Sequence, residues 1–272
     1  MLIVASCLPP VCSLVMIDIH CHLLPGLDDG PDSLEESLQM VEMAIADGIT
    51  HVVATPHASE SYKFDAELIA RRREEVQGHC AGRLTLATGC DFHLNYENIE
   101  DLKKGPAKYT VNQKNYLLVE FADYSIPPWM DDTLHQVQLL GLTPVVTHPE
   151  RNALLRGDPK RLLGWLKRGC YAQVTAQSLL GRFGDAARHW AERWLDGGCV
   201  HFVASDAHNL KSRPLRLREA LDAVAARNGP EVAQALFVEN PLAAFEGREL
   251  PFVPEIDAEG AAPVKKKKFF FF

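Results

Sequence analysis

The sequence predicts an α/β fold in one domain, built on a parallel sheet of about seven strands that is either closed into a barrel or left open. Three observations lead there. Short apolar runs rich in Val, Ile and Leu recur along the chain, as strands buried on both faces do. Amphipathic stretches at helical spacing lie between most of them, the alternation of a β/α fold. His and carboxylate residues gather at or just beyond the ends of the runs, where parallel β/α folds place their active sites.

In order, the expected strands are 15–20, 51–55, 84–92, 116–121, 143–147, 170–175 and 199–205. The first helix is expected over 33–47, with Leu34, Leu38, Val41 and Ile45 on one face. Ser33 and Glu36 have the spacing of a capping box, and Gly48 ends the helix. Further helices are expected at 65–77, 131–140, 159–168, 185–195, 214–227 and 231–237. The chain has 272 residues, 47% hydrophobic and 24% charged, which suffices for one core of β/α-barrel size.

No composition shift or long linker divides the chain, so a single domain is assigned to 16–250. Residues 1–15 read as an N-terminal extension, either translated or the product of a misassigned start, because Met16 opens the first strand. That segment has no basic start, Pro9 and Pro10 interrupt its apolar run, and it is too short to span a bilayer. No stable membrane insertion is expected. Residues 251–272 form a C-terminal tail expected to be disordered, ending in the low-complexity block KKKKFFFF.

The formal charge of −8 leaves no global basic field for nucleic acid, although a local arginine pocket can still hold a small anion. Seven cysteines, scattered and without a C-x-x-C pair, indicate neither a disulfide framework nor a zinc–thiolate site. A reducing cytoplasm fits that usage best. The oligomeric state is not legible.

The chemistry lies at the strand ends. His20 and His22 form an H-x-H pair closing the first strand, and the period of two places both imidazoles on one face. Asp28 and Asp29 follow in LPGLDDGP, where Gly26, Gly30 and Pro31 enforce turns. His57 follows the second strand, Asp91 lies late in the third, Glu120 late in the fourth, and His148 just after the fifth; Asp206 and His208 follow the seventh. One such His is ordinarily structural. Their joint placement matches a mixed nitrogen and oxygen site for divalent transition metals. His51, His79, His135, His189 and His201 fall outside this pattern, and His93 shares the face of Asp91.

The segments HCHLLPGLDDGP, ATPH, GCDFH, LLVEF, THPERN and SDAHN resemble successive motifs of the polymerase-and-histidinol-phosphatase (PHP) superfamily. DDGP with HPERN is closer to its bacterial tyrosine-protein phosphatase branch, associated with capsule and exopolysaccharide synthesis. The resemblance runs from about residue 16 to about 248. It implies a distorted (β/α)7 TIM-like barrel carrying two or three divalent metals at its C-terminal rim, manganese foremost, with iron, zinc or magnesium as alternatives. Carried over residue by residue, the ligands are His20, His22, Asp29, His57, Asp91, Glu120, His148, Asp206 and His208. Asp91 departs from the pattern, since the family usually has Glu there.

The resemblance further implies that Arg151 and Arg213 grip phosphate, with Asp29 beside them in the catalytic set. Clustered cations acidify water and neutralise phosphoryl charge, so no protein nucleophile is required. The implied activity is a metal-dependent protein-tyrosine phosphatase acting on the phosphotyrosine tail of a polysaccharide-assembly kinase. The nearest alternative is a small-metabolite phosphatase such as a histidinol phosphatase. A thiolate phosphatase needs Cys followed six positions later by Arg, which no cysteine here satisfies, and neither G-x-S-x-G nor a P-loop occurs. An amidohydrolase and a catalytically dead scaffold are the remaining rivals; the D-x-H after the last strand and the absence of an obvious carbamylated Lys argue against the first, and the nearly complete ligand set against the second.

Overall fold

The computed structural model describes residues 15–257. Its strands are β1 (Met16–Cys21), β2 (Ile49–Ala54), β3 (His57–Ala58), β4 (Thr85–Thr88), β5 (Asp91–His93), β6 (Tyr116–Glu120), β7 (Thr143–Thr147), β8 (Tyr171–Thr175) and β9 (Phe202–Ala204). They form two sheets, ordered β1-β2-β4 and β3-β5-β6-β7-β8-β9, and every pairing within them is parallel. The fold is a mixed α/β domain with parallel sheets. Its ladders are divided rather than continuous.

One expected strand is interrupted and another is followed by a short unexpected one, and the sequence at each break explains it. Pro56 lacks the N–H that a ladder needs, so β2 ends at Ala54 and a short β3 resumes at His57. The single strand expected over 84–92 breaks at Gly89 and Cys90. A Cβ on Gly89 would lie 3.2 Å from Val53 Cγ1, and Gly89 N–H donates to Ala54 O at 2.9 Å. The chain thus presses against the end of β2 before pairing with β3. β9 is also shorter than expected, but its continuation reaches β1: Asp206 N–H donates to His20 O at 2.9 Å and His22 N–H to Ala207 O at 2.8 Å.

β1 is buried along its whole length. Ile17 and Ile19 on one face join a cluster with Leu118, Val145 and Phe202, which leaves Asp18, His20 and His22 for the other, by the period of two. Larger apolar contacts tie the strands to the surrounding helices. The first helix, Leu34–Asp47, is capped as the sequence indicates: Ser33 Oγ accepts from Glu36 N–H at 3.2 Å, and Gly48 closes it at φ +90°.

Other helix ends depend on distant partners. The helix expected from residue 214 begins only at Arg218, because Asp47 Oδ2 accepts from Leu217 and Arg218 N–H at 2.6 and 2.8 Å. The helix expected over 231–237 runs on as Pro230–Gln234, a π turn Ala235–Glu239 and Asn240–Glu246. Tyr96–Lys104, Ala153–Gly157 and Ala176–Leu179 are additional helices; the last two are too short for a periodic signal. The expected tail is partly fixed: buried Asn240 accepts from Phe252 N–H at 3.1 Å and donates to Phe252 O at 2.7 Å, and Asp257 N–H reaches Gly197 O at 3.2 Å. The extension 1–14 and residues 258–272, KKKKFFFF included, lie outside the described residues. Among the described residues no helix is long and apolar enough to cross a membrane.

Candidate metal centre

The nine sequence-chosen candidates meet at one end of the strands. Four groups present donor atoms lying within 4.8 Å of one another: His22, Asp29, His57 and His208; His20, His22 and Asp91; His57, His93 and Glu120; and Asp91, Glu120 and His148. Asp206 stands beside them, with Oδ1 3.4 Å from His20 Nε2 and 3.6 Å from His22 Nε2. His93, ambiguous in the sequence, contacts Glu120. His51, His79, His135, His189 and His201 belong to none of the four groups.

The loops deliver these side chains by local constraints. Gly30 is required where it stands, since a Cβ would come within 2.6 Å of His22 O. That close approach folds the DDGP turn back over β1, so Asp28 Oδ2 meets His22 Nδ1 at 2.7 Å and accepts from His57 N–H at 3.0 Å. Asp29 Oδ1 reaches His208 Nε2 at 3.3 Å and His57 Nε2 at 3.4 Å. His148 and Asp206 both sit at positive φ, +31° and +50°, a conformation that costs about 1–3 kcal/mol for a non-glycine residue. Two strained backbone positions in one site mark it as a place where geometry has been fixed at the expense of stability.

The donor set fits divalent cations. His20 Nε2, His22 Nε2, His57 Nδ1, His208 Nε2 and Asp91 Oδ2 are all buried without a hydrogen-bond partner, and each such orphan costs about 1–3 kcal/mol. The opposite nitrogens are held: His20 Nδ1 by Gln173 Oε1 at 2.9 Å, His22 Nδ1 by Asp28, and His208 Nδ1 by Asp206 O at 3.0 Å. One nitrogen oriented and the other left free toward a shared centre is the arrangement of a metal-binding histidine.

Electrostatics agree. Burial opposes charge on His20, yet Asp91 and Asp206 outweigh it and raise its pKa to about 9. His57 also rises to about 9 against burial, through Asp29, Asp91 and Glu120. Burial, then His208, lowers His22 to about 4. Asp91 and Asp206 are held well below the carboxylate range, because facing imidazoles and, for Asp206, the arginines overcome their burial. Fully buried carboxylates that stay ionised demand compensating positive charge.

Arg151 and Arg213 both reach the centre and both ion-pair with Asp206 Oδ2. Sequence reasoning missed four neighbours. Gln173 and Asp18 are buried polar residues inside apolar strands, a signal that was present. Tyr62 stacks on His57 with centroids 5.7 Å apart, and Phe183 packs on both arginines; neither lies near a motif. Cys21 and Cys90, near the centre, have thiols pushed well up by burial, so neither supplies a thiolate.

The family model for capsular polysaccharide synthesis, CpsB/CapC, matches residues 16–246. Tyrosine-protein phosphatase YwqE of Bacillus subtilis (strain 168) is 32% identical over 262 residues, covering 94% of this chain and 100% of the relative. Tyrosine-protein phosphatase CpsB of Streptococcus pneumoniae is 33% identical over 235 residues, covering 83% and 96%. A solved structure from the work on those two proteins, described as unique metal-dependent tyrosine phosphatases, superposes with TM-score 0.82 at 31% identity, over 89% of this chain and 99% of the other. The lactonase Lmo2620 from Listeria monocytogenes, at 15% identity and TM-score 0.54 over 87% and 96%, shares the fold alone. The matched span takes in β1 through the helix at Asn240–Glu246 and every residue of the centre, and the chain belongs to the CpsB/CapC family of capsular polysaccharide synthesis.

Proposed function

We propose that this chain is a metal-dependent protein-tyrosine phosphatase acting on the phosphotyrosine tail of a kinase that controls capsule or exopolysaccharide assembly. The observation that carries the reading is the cluster of orphaned, buried imidazole and carboxylate atoms beside two arginines. The names of the relatives support the substrate class. A flexible tail suits a recessed centre, since phosphotyrosine must enter from outside. Buried, unpaired cysteines among the described residues support a cytoplasmic setting.

The strands support a distorted (β/α)7 barrel of the PHP type. β2 with β3, and β4 with β5, make two broken staves, which with the other five strands gives seven; the Cys21–Ala207 bridge joins the last to the first. His20, His22, Asp29, His57, Asp91, Glu120, His148, Asp206 and His208 would hold two or three divalent cations, with manganese the first candidate given the mixed donors. Bound there, such cations supply positive charge to phosphoryl oxygens and acidify water.

The chain's own residues do the rest. Arg151 and Arg213 turn planar donors toward the phosphoryl oxygens and fix its orientation. Asp29, the half-exposed carboxylate at the rim, faces His57 and His208; held ionised by those imidazoles, it would orient the attacking water through a hydrogen bond. Asp28 and Gln173 hold His22 and His20 in the ring orientation the site needs. Asp91, shorter by one methylene than the usual Glu, still lies within 3.4 Å of His20, 3.5 Å of His57 and 3.9 Å of His148.

The test is a substrate panel. Manganese-loaded protein is assayed on a phosphotyrosine peptide, a phosphoserine peptide and histidinol phosphate. Selective turnover of phosphotyrosine is expected, and His148→Ala should abolish it while the circular dichroism stays that of the parent. Turnover confined to histidinol phosphate would transfer the centre to a small-metabolite phosphatase.

A further inference from the structure

Phe183 lies outside every motif, immediately before the helix Gly184–Asp196. Its half-buried ring is 4.5 Å from the Arg151 guanidinium and 6.0 Å from that of Arg213. It also lines a cavity of about 310 Å³ with Glu120, His148, Arg151, Arg156 and Ala187. That volume lies at the small end of ligand sites, roughly 300–1,000 Å³. Two candidate ligands, Glu120 and His148, and Arg151 provide for the phosphoryl group from this cavity, which Asp123 also lines; Arg156 donates instead to the carbonyls of Glu150 and Arg151. Among the described residues, Phe183 is the one Phe, Tyr or Trp side chain lining the cavity.

We infer that Phe183 is a specificity-determining residue: it forms the aromatic wall against which the tyrosyl ring of the substrate packs while the phosphoryl group lies between the arginines and the centre. The inference rests on the phosphatase reading and adds the group that reads the leaving alcohol. A phosphoryl group gripped by Arg151 at cations that His148 and Glu120 would hold would lie at the wall of this cavity, and the alcohol it carries would then occupy the space beside Phe183. Arg151 lies close over that ring at 4.5 Å and Arg213 more loosely at 6.0 Å, and the part of the half-buried ring that lines the cavity is the part offered to an offset or edge-to-face partner. The small side chains of Ala186 and Ala187 leave room for one. Arg151 and Arg213 do not depend on Phe183 for their place, because both are anchored by Asp206.

The experiment compares Phe183→Ala, Phe183→Leu and Phe183→Trp with the parent as metal-loaded full chains. KM and kcat are measured for a phosphotyrosine peptide, and Ki for inorganic phosphate, which carries no ring. An aromatic pair is worth about three- to tenfold in affinity. Ala and Leu should therefore raise KM for phosphotyrosine by about that factor, Trp should preserve it, and phosphate Ki should stay within about twofold for all. Leu keeps the apolar bulk, so its outcome stands even if Ala fails to fold. Parallel weakening of phosphate and phosphotyrosine would overturn the inference, showing Phe183 to be only a prop for the arginines. An unchanged KM in all three variants would overturn it too. No turnover of phosphotyrosine by the parent with any metal would instead sink the phosphatase reading itself.

Discussion

Arg151 and Asp206, 55 positions apart in the chain, form an ion pair at the floor of the candidate centre. The carboxylate is divided between two tasks. Its Oδ1 faces the imidazoles of His20 and His22, and its Oδ2 takes the guanidinium of Arg151 together with that of Arg213. One side chain thereby sets the spacing between the imidazole face, the candidate for metal, and the arginine face, the candidate for an anion.

That division predicts an asymmetry between arginine substitutions. Arg151→Ala should lower kcat/KM for phosphotyrosine by about 10²–10³, the usual cost of losing one charge-stabilising donor in an active site. Arg151→Lys should recover only part of it, because a point charge cannot serve Asp206 and a phosphoryl oxygen with one planar fork. Equal activity of the Lys variant and the parent would show that charge alone matters.

Metal removal should be visible without any substrate. A ligand at about a hundred times its Kd stabilises the folded state by about 2.7 kcal/mol, and a domain of this size gains roughly 2–4 °C in Tm per kcal/mol. Stripping with chelator should therefore lower Tm by about 5–10 °C, with full recovery on adding manganese. Coincident melting curves would mean that the buried donors bind no ion.

Gln173 should matter through His20 alone. Its Oε1 accepts from His20 Nδ1 at 2.9 Å and so leaves Nε2 for the centre. Gln173→Leu should weaken metal affinity by about 10–100-fold, as loss of such an orienting partner does, while kcat at saturating metal changes little. A metal titration followed by turnover separates the two effects; a low kcat that excess metal does not restore would assign Gln173 a different role.

Acid sensitivity should trace in part to a histidine away from the centre. His201 is buried beside Tyr171, its Nδ1 accepts from Ala172 N–H at 3.3 Å, and burial lowers its pKa to about 4. The unfolded chain protonates this residue near about pH 6.5, whereas the folded chain does not until near pH 4. Its contribution to stability is thus complete above about pH 6.5 and is lost as pH falls toward 4. Urea unfolding of His201→Asn across that window should show a slope shallower than the parent's by about one proton, or about 1.4 kcal/mol per pH unit. Parallel slopes would mean that His201 titrates alike in both states.

Much of the frame was legible because it is local. Strands buried on both faces announce themselves as apolar runs, and Ser33 with Gly48 bounded the first helix by its own chemistry. The candidate donors were legible because a parallel β/α fold has only one end at which strand-terminal side chains converge. What stayed hidden depends on partners remote in sequence. Asp47 sets the start of the helix at Arg218, Gln173 orients His20, and Phe183 meets Arg151 and Arg213. Asp28 and Asp29 are adjacent in sequence, yet one holds His22 from behind and the other faces His57 and His208; only the folded turn over Gly30 separates their positions.

The most direct test of the account is a titration of metal-free protein with manganese, reading phosphotyrosine turnover and bound metal in the same samples. The account predicts no turnover without metal and a rise that levels off once two or three equivalents are bound. Undiminished turnover by protein shown to be free of metal would contradict it.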